Sequence, residues 1–321
     1  MNLQRSLGRS DISVSAVGLG CWQFSEARGL SGSYWPPLPQ ETVNAIVAVS
    51  LSGGINWFDT AEVYGGGRSE SALAKALLAA GKRNGDVVIA TKWWPALRTA
   101  GNIAATIGER LQRLEPFAID LYQVHQPFAV ASTAAQMEAM ADLIAVRQIG
   151  AAGVSNFSLG KMRAAHAALA ARGIPLVSNQ VSYSLLDRRI ERSGVLQAAK
   201  DLGITIIAYS PLAQGVLTGK FHADPNLIRS RPGPRKWLPR FRRRGLEKSR
   251  ALIAALQKIG RAHGATPAQV ALSWLLCAHG DTVVAIPGAT TVAQAAENAA
   301  ALDLELSAAE CRRLEELSKS T

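Results

Sequence analysis

Cysteine is nearly absent from this chain of 321 residues; Cys21, Cys277 and Cys311 are its three. They are too few and too far apart for a disulfide framework or a zinc cluster, so a reducing compartment is expected. Histidine is sparse as well. Apart from His125, the others (His166, His222, His263, His279) are scattered without metal-ligand spacing, and no metal site is expected. No long apolar run occurs, and the opening MNLQRSLGRSDISV lacks the apolar core of a signal peptide. Neither a membrane span nor a leader is expected, and the chain reads as cytoplasmic. Missing too is a strand that opens a G-x-G-x-x-G turn. Gly18-Leu19-Gly20 continues as Cys21-Trp22-Gln23-Phe24 with no third glycine, and Gln214 stands where a phosphate loop ending at Lys220 needs its first glycine. What remains, 48% hydrophobic and 18% charged residues, excludes a disordered chain and a coiled coil and is enough to bury a large core.

Acidic residues are the other shortage. Asp and Glu number 24 against 35 Lys and Arg, a net charge of +11. The imbalance is local. Lys220 to Arg250 holds eleven basic residues and two acids, Asp224 and Glu247, so +9 of the total sits there and +2 in the rest.

Along the chain, short β-branched runs alternate with Ala/Leu-rich stretches of helical period. Eight runs are found, at 16–20, 55–59, 87–92, 119–125, 149–156, 176–181, 204–210 and 282–288. Helices are expected near 41–53, 69–81, 102–114, 133–146, 158–172, 191–202, 248–263 with 267–279, and 291–302, with a last amphipathic helix at 307–319. Residues 2–14 read as a small hairpin around Gly8. The runs are apolar almost throughout, as parallel strands covered on both faces must be. Eight strand–helix units predict an α/β fold, a (β/α)8 TIM barrel with an N-terminal β-hairpin, as one domain over 1–321. Two connections are long, 24–39 after the first strand and 211–247 after strand 7. Both belong on the C-terminal face, where barrels keep their sites. Pro232, Pro234 and Pro239 argue against a helix through the second.

Polar side chains collect at strand ends. Asp59 closes the second run with Tyr64 five residues on, Lys92 closes the third and His125 the fourth. A barrel brings neighbouring strand ends together. A phenol is a poor proton donor near neutrality, and an adjacent ammonium stabilises the phenolate and lowers its pKa. A carboxylate holds the ammonium, and an imidazole can donate to a carbonyl oxygen gaining charge. The set suits proton delivery to a carbonyl whose carbon receives hydride.

Phe58-Asp59-Thr60-Ala61-Glu62-Val63-Tyr64-Gly65 with Ser69-Glu70 resembles the signature of the aldo-keto reductase family. Further family motifs follow in order: Ala90-Thr91-Lys92, His125-Gln126-Pro127, Gly153-Val154-Ser155-Asn156-Phe157, Asn179-Gln180, Tyr209-Ser210-Pro211-Leu212, Ile286-Pro287-Gly288-Ala289, and Gln294 with Glu297-Asn298. The resemblance spans essentially the whole chain and implies a barrel that reduces aldehydes and ketones with NADPH and holds the dinucleotide without a Rossmann domain. It makes Tyr64 the general acid, tuned by Lys92 and Asp59, with His125 orienting the carbonyl. Ser155, Asn156 and Gln180 would bond the nicotinamide carboxamide and Tyr209 would stack on the ring. Ser210, Pro211, Leu212 and Gly215 would wrap the pyrophosphate, and Gly288, Thr290, Gln294, Glu297 and Asn298 would hold the adenosine end. Trp22, also beside the cofactor, Trp93 and the 24–39 loop would line the substrate pocket; Trp57, Trp94 and Trp274 read as core or wall.

No basic residue stands at Gly288, Thr290 or Gln294, where many members of that family grip a 2′-phosphate. Long-loop members, such as potassium-channel β-subunits, use instead a Ser/Thr and a Lys after Thr-Gly. Thr290 and Thr218-Gly219-Lys220 match those places, with Arg229 or Arg231 as a second phosphate contact. NADPH is therefore expected ahead of NADH. For the basic stretch three readings stay open: a cofactor clamp near Lys220, plain surface charge, or a polyanion or nucleic-acid site across 229–250 with Trp237 and Phe241 interleaved. A dinucleotide-binding regulatory protein with little turnover is the alternative to an enzyme.

Overall fold

The computed structural model describes residues 4–26, 34–230 and 234–319. Its centre is a sheet of eight parallel strands, β3 (Leu19–Gly20), β4 (Trp57–Asp59), β5 (Val88–Trp93), β6 (Leu121–Val124), β7 (Ala151–Ser155), β8 (Leu176–Ser182), β9 (Thr205–Tyr209) and β10 (Val283–Ile286), each beside its neighbour in chain order. The two edges meet. Val17 bridges Ala285 and Gly20 bridges Gly288, both in parallel sense, so the sheet closes into a barrel. Glycine is required at this seam: a Cβ on Gly20 would lie 2.9 Å from the Ile286 carbonyl oxygen. Six strands fall within the expected runs, and β5 and β8 overrun theirs by one residue each, at Trp93 and Ser182.

Strand alternation sorts the side chains into an inner and an outer set. Inward lie Trp57, Ala90, Leu121, Ala151, Val177, Ile207 and Val284, an apolar layer distinct from the larger core between strands and helices. Two residues further along the same strands stand Asp59, Lys92, Gln123 and Tyr209. The chemistry therefore rests on a floor of packed side chains. The hairpin, β1 (Gln4–Ser6) paired antiparallel with β2 (Ser13–Ser15), presses Leu7 and Val14 against that layer from below. Buried Arg5 donates to the carbonyls of Val283 and Leu276.

Helices flank the strands, over 40–52, 68–79, 101–114, 133–145, 159–170, 195–202, 267–277, 292–300 and 308–319. The stretch expected as one helix over 191–202 breaks at Ser193-Gly194. None among the described residues is long and apolar enough to cross a membrane.

The connection after β9, the seventh strand of the barrel, differs more from expectation. Its prolines open short 3-10 turns at Pro225–Ile228, Pro234–Trp237 and Pro239–Phe241, following a single helical turn at Lys220–Ala223. Proline suits a first helical position, where its missing N–H has no partner to lose. The next helix starts at Arg243, five residues earlier than expected, and runs to His263. Three arginines, Arg242 to Arg244, thus crowd a helix N-terminus, where the backbone dipole disfavours cations by ~0.3–1 kcal/mol each. Burial of Leu246, Leu252, Ile253, Leu256 and Ile259 on one face, at ~1.5–3 kcal/mol per side chain, outweighs this.

Gly18 borders the seam with its Cα against the Trp57 indole; a Cβ there would approach Cε2 to 2.3 Å. Gly18→Ala is expected to destabilise the barrel by about 1–3 kcal/mol in urea unfolding, against no loss or a gain of up to ~1 kcal/mol for Gly108→Ala, which lies inside helix 101–114 with open surroundings.

Candidate active site

Lys92 and Asp59 stand on adjacent strands, β5 and β4, and form an ion pair with side chains essentially excluded from solvent. Every polar atom of the pair is engaged. Lys92 Nζ donates to Asp59 Oδ1, to the Thr60 carbonyl at 2.8 Å and towards Tyr64 Oη at 3.5 Å. Asp59 Oδ2 accepts from Gln180 Nε2 at 2.7 Å and from Gln123 Nε2 at 3.1 Å. Desolvation pulls the ammonium down, but Asp59 and Tyr64 together more than restore it, so Lys92 ends above its ordinary value.

Tyr64 is carried on the loop after β4. Gly65, Gly66 and Gly67 follow it, all at positive φ, and a Cβ on Gly65 would meet the Ser25 carbonyl oxygen at 2.4 Å. Only glycine lets the chain turn this tightly behind the phenol. The expectation of a lowered phenol pKa is half right. Lys92 does lower it, but burial is the larger effect and the net shift is upward. The phenol holds its proton near neutrality.

His125 follows β6, its ring 5.6 Å from that of Tyr64 and edge-on to Trp94 at 5.3 Å. Burial, with the Lys92 charge adding to it, holds its imidazole well below the usual range, so the ring is neutral.

Above these residues lies a cavity of about 980 Å³. Of the residues expected to bind cofactor, Trp22, Asp59, Ser155, Asn156, Gln180, Tyr209, Ser210, Pro211, Leu212, Gly215, Lys220, Gly288, Thr290, Gln294, Glu297 and Asn298 all line it. Asn156 takes a positive φ and accepts from Tyr209 Oη at 2.9 Å. After β9, Ser210, Ala213, Gln214 and Gly215 all have positive φ, three of them without the freedom of glycine. Such strain gathers at functional loops. Thr290 and Gln294 are tied to each other, the Gln294 Oε1 accepting from Thr290 Oγ1 at 3.0 Å.

Two expectations are overturned. Trp93 does not face the cavity. Alternation from inward Lys92 sends it outward, where it is fully buried and donates to Asn102 Oδ1 at 3.0 Å. Trp94, one residue on, provides the wall with Trp22 and Trp35. Arg229 is exposed and off the cavity, because its 3-10 turn buries Ile228 instead. Arg235 takes the inner place, 5% exposed, lining the cavity with its guanidinium 4.2 Å from the Trp35 ring. Arg231, like residues 27–33 of the first long loop, lies outside the described residues.

Other contributors gave weaker signals. Gln123 is a lone amide in an apolar run, at the same parity as His125. Glu62 accepts from the Trp94 backbone N–H and from Arg98 Nη1 at 2.6 Å, and pairs with buried Arg110, pinning one pocket wall. Gln23 projects at Gly288, where a Cβ would meet its Nε2 at 2.2 Å. The arginines at 240 and 242–244 are exposed.

The neutral imidazole makes a pH prediction. In the unfolded chain His125 takes up a proton near pH 6.5, well before it does so when folded. The unfolded state therefore binds more protons, and this contribution to stability is lost as pH falls through that value. Glu70, pushed up to about 7 by burial, works in the opposite sense. Urea midpoints of the wild type and His125→Gln, compared between about pH 7 and pH 5, separate the two effects. The wild type is expected to fall more steeply; parallel curves would show that His125 is not held neutral.

Comparison with known proteins gives the family of the chain. Residues 16–319 match the Aldo/keto reductase family. An uncharacterized oxidoreductase of Mycobacterium tuberculosis is 42% identical over 297 residues, 92% of this chain and 86% of the relative. The chloroplastic pyridoxal reductase of Arabidopsis thaliana is 33% identical over 323 residues, 97% and 85% of the two chains. Among solved structures, an aldo/keto reductase from Klebsiella pneumoniae in complex with NADP and acetate superposes with a TM-score of 0.73 at 25% identity, covering 99% and 96%. By sequence and by fold, this oxidoreductase belongs to the aldo/keto reductase family.

Proposed function

We propose that the protein reduces an aldehyde or ketone to the alcohol with NADPH, Tyr64 giving the proton to the carbonyl oxygen. The observation that carries this reading is the meeting of the Tyr64 hydroxyl with the buried Lys92–Asp59 pair, His125 beside them, at the floor of the cavity. The residues present fit a dinucleotide. Gln23 Oε1, Gln214 Oε1 and His125 Nδ1 are buried in the cavity wall without a hydrogen-bond partner among the described residues, polar atoms that a polar ligand would satisfy. A bound nicotinamide dinucleotide supplies the hydride for the carbonyl carbon.

The remaining work falls to the chain. Tyr64 keeps its proton until oxygen gains charge, and the ammonium 3.5 Å away then stabilises the phenolate. Asp59 holds that ammonium charged and in place. Neutral His125 offers a hydrogen bond to the carbonyl oxygen without adding a second cation. Ser155, Asn156 and Gln180 would hold the carboxamide, and Tyr209 the ring face. The 210–215 loop would take the pyrophosphate, and Gly288, Thr290, Gln294, Glu297 and Asn298 the adenosine end. Lys220 with Arg235 would grip the 2′-phosphate, Arg235 replacing the expected Arg229. Trp22, Trp35 and Trp94 would face the substrate. The NADP complex of the Klebsiella relative and the pyridoxal reductase relative are consistent with this cofactor and with an aldehyde substrate.

Tyr64→Phe is expected to lower aldehyde-dependent NADPH oxidation by roughly a hundredfold or more while NADPH binding, read by fluorescence, survives. An unchanged rate would exclude Tyr64 as the proton donor. Lys220→Ala and Arg235→Ala should each weaken NADPH by roughly tenfold to a hundredfold and NADH far less. Equal loss for both cofactors would refute the phosphate assignment.

A further inference from the structure

Cys277 and Cys311 are 34 residues apart in the chain, and their spacing gave no reason to pair them. The fold brings them together. Cys277 ends helix 267–277 and Cys311 lies in the first turn of helix 308–319, with their Sγ atoms 2.7 Å apart. That is inside ordinary van der Waals contact, about 3.5–4.0 Å between carbons, yet longer than the ~2.05 Å of a disulfide. The two are thiols sharing a hydrogen bond. Cys277 is exposed and Cys311 half-buried, so reagents reach both, whereas Cys21 is sealed beneath the cavity.

The contact polarises the pair. Either thiol can donate across the contact; the bond draws the Cys311 thiol below its ordinary value and raises Cys277. Cys311 is thus the nucleophile and Cys277 the second thiol.

The helix that carries Cys311 gains most from a tether. Its fully buried residues are Leu314 and Ser318, and its ties to the rest of the fold include Ser318 Oγ to the Leu185 carbonyl, Arg188 to the Glu315 carbonyl, and His263 to Glu310. Elements with so little buried surface open locally before the rest of a fold. A covalent link would staple this helix to helix 267–277, which packs on the barrel.

We propose that Cys277 and Cys311 form a reversible dithiol–disulfide site that responds to small-molecule disulfides such as oxidised glutathione. The Cys311 thiolate attacks one glutathione sulfur and breaks the glutathione S–S bond. One glutathione thiolate leaves and takes up a proton. Cys277, deprotonated in turn, attacks Cys311 Sγ, forms the intramolecular S–S bond and expels the second glutathione thiolate. Two protein thiols lose two electrons, and one glutathione disulfide becomes two thiols. This site is independent of the reductase reading.

The test uses the full chain incubated with oxidised glutathione and examined unreduced by intact mass, maleimide counting and peptide mapping. The expected product has lost the mass of two hydrogens and two of the three thiols counted after denaturation, and yields a Cys277–Cys311 cross-linked peptide. Its unfolding midpoint rises by roughly 5 °C, because a loop of this length is closed in the unfolded state, and dithiothreitol reverses both changes. Cys311→Ser and Cys277→Ser should each stop at a stable glutathione adduct or stay reduced, without the midpoint rise. Retention of all three thiols, wild-type protein that stops at glutathione adducts, or disulfide-linked dimers would overturn the proposal.

Discussion

The ion pair between Asp59 and Lys92 is the constraint on which the rest of the site depends. Taking both charges out of water is expensive, several kcal/mol per ion even after relaxation. The pair persists because its remaining hydrogen-bonding capacity is met by Gln123, Gln180, Thr60 and Tyr64. Those partners come from β6, from β8 and from the loop after β4. The polar layer therefore binds strands that the apolar layer below merely packs. Loss of either charge alone would leave the other buried and uncompensated, at about 3–5 kcal/mol, so stability and chemistry are inseparable here.

Burial also decides protonation. Residue types alone place an ammonium beside a phenol and argue for a more acidic phenol. They contain no information on how much water the fold removes. With water excluded, desolvation exceeds the Lys92 effect on Tyr64, and the same exclusion keeps His125 neutral. The acid is thus a retained proton with a cation ready behind it, rather than a phenol already partly ionised.

How far the sequence could be read followed the regularity of each segment. Parallel strands buried on both faces leave short apolar runs, and all eight were visible. Residues at strand ends, such as Asp59, Lys92 and Ser155, inherit that regularity, and a resemblance across the whole chain ordered them. The misplaced tryptophan was within reach, since alternation from Lys92 sends Trp93 outward and leaves Trp94 for the pocket. Arg235 was not within reach. A connection built from proline-led 3-10 turns has no period from which to infer which arginine turns inward. The early start of the helix at Arg243 was hidden for a related reason: its charges argue against a helix start, and only the buried leucines further on reveal it. Contacts such as Cys277 with Cys311 or Glu62 with Arg110 join distant segments and leave no local trace.

The hairpin has a consequence for traffic. Leu7, Val14 and Arg5 stopper the lower end of the barrel, and the layer led by Trp57 fills the space above them. Among the described residues the lower end is closed, and the cavity lies above the strand ends. A molecule bound for Tyr64 from that side passes Lys220 and Arg235, two basic residues of the connection after β9 that line the cavity wall. An imbalance that looks like a property of the whole chain is, for a molecule inside the cavity, the presence of two cations in its wall.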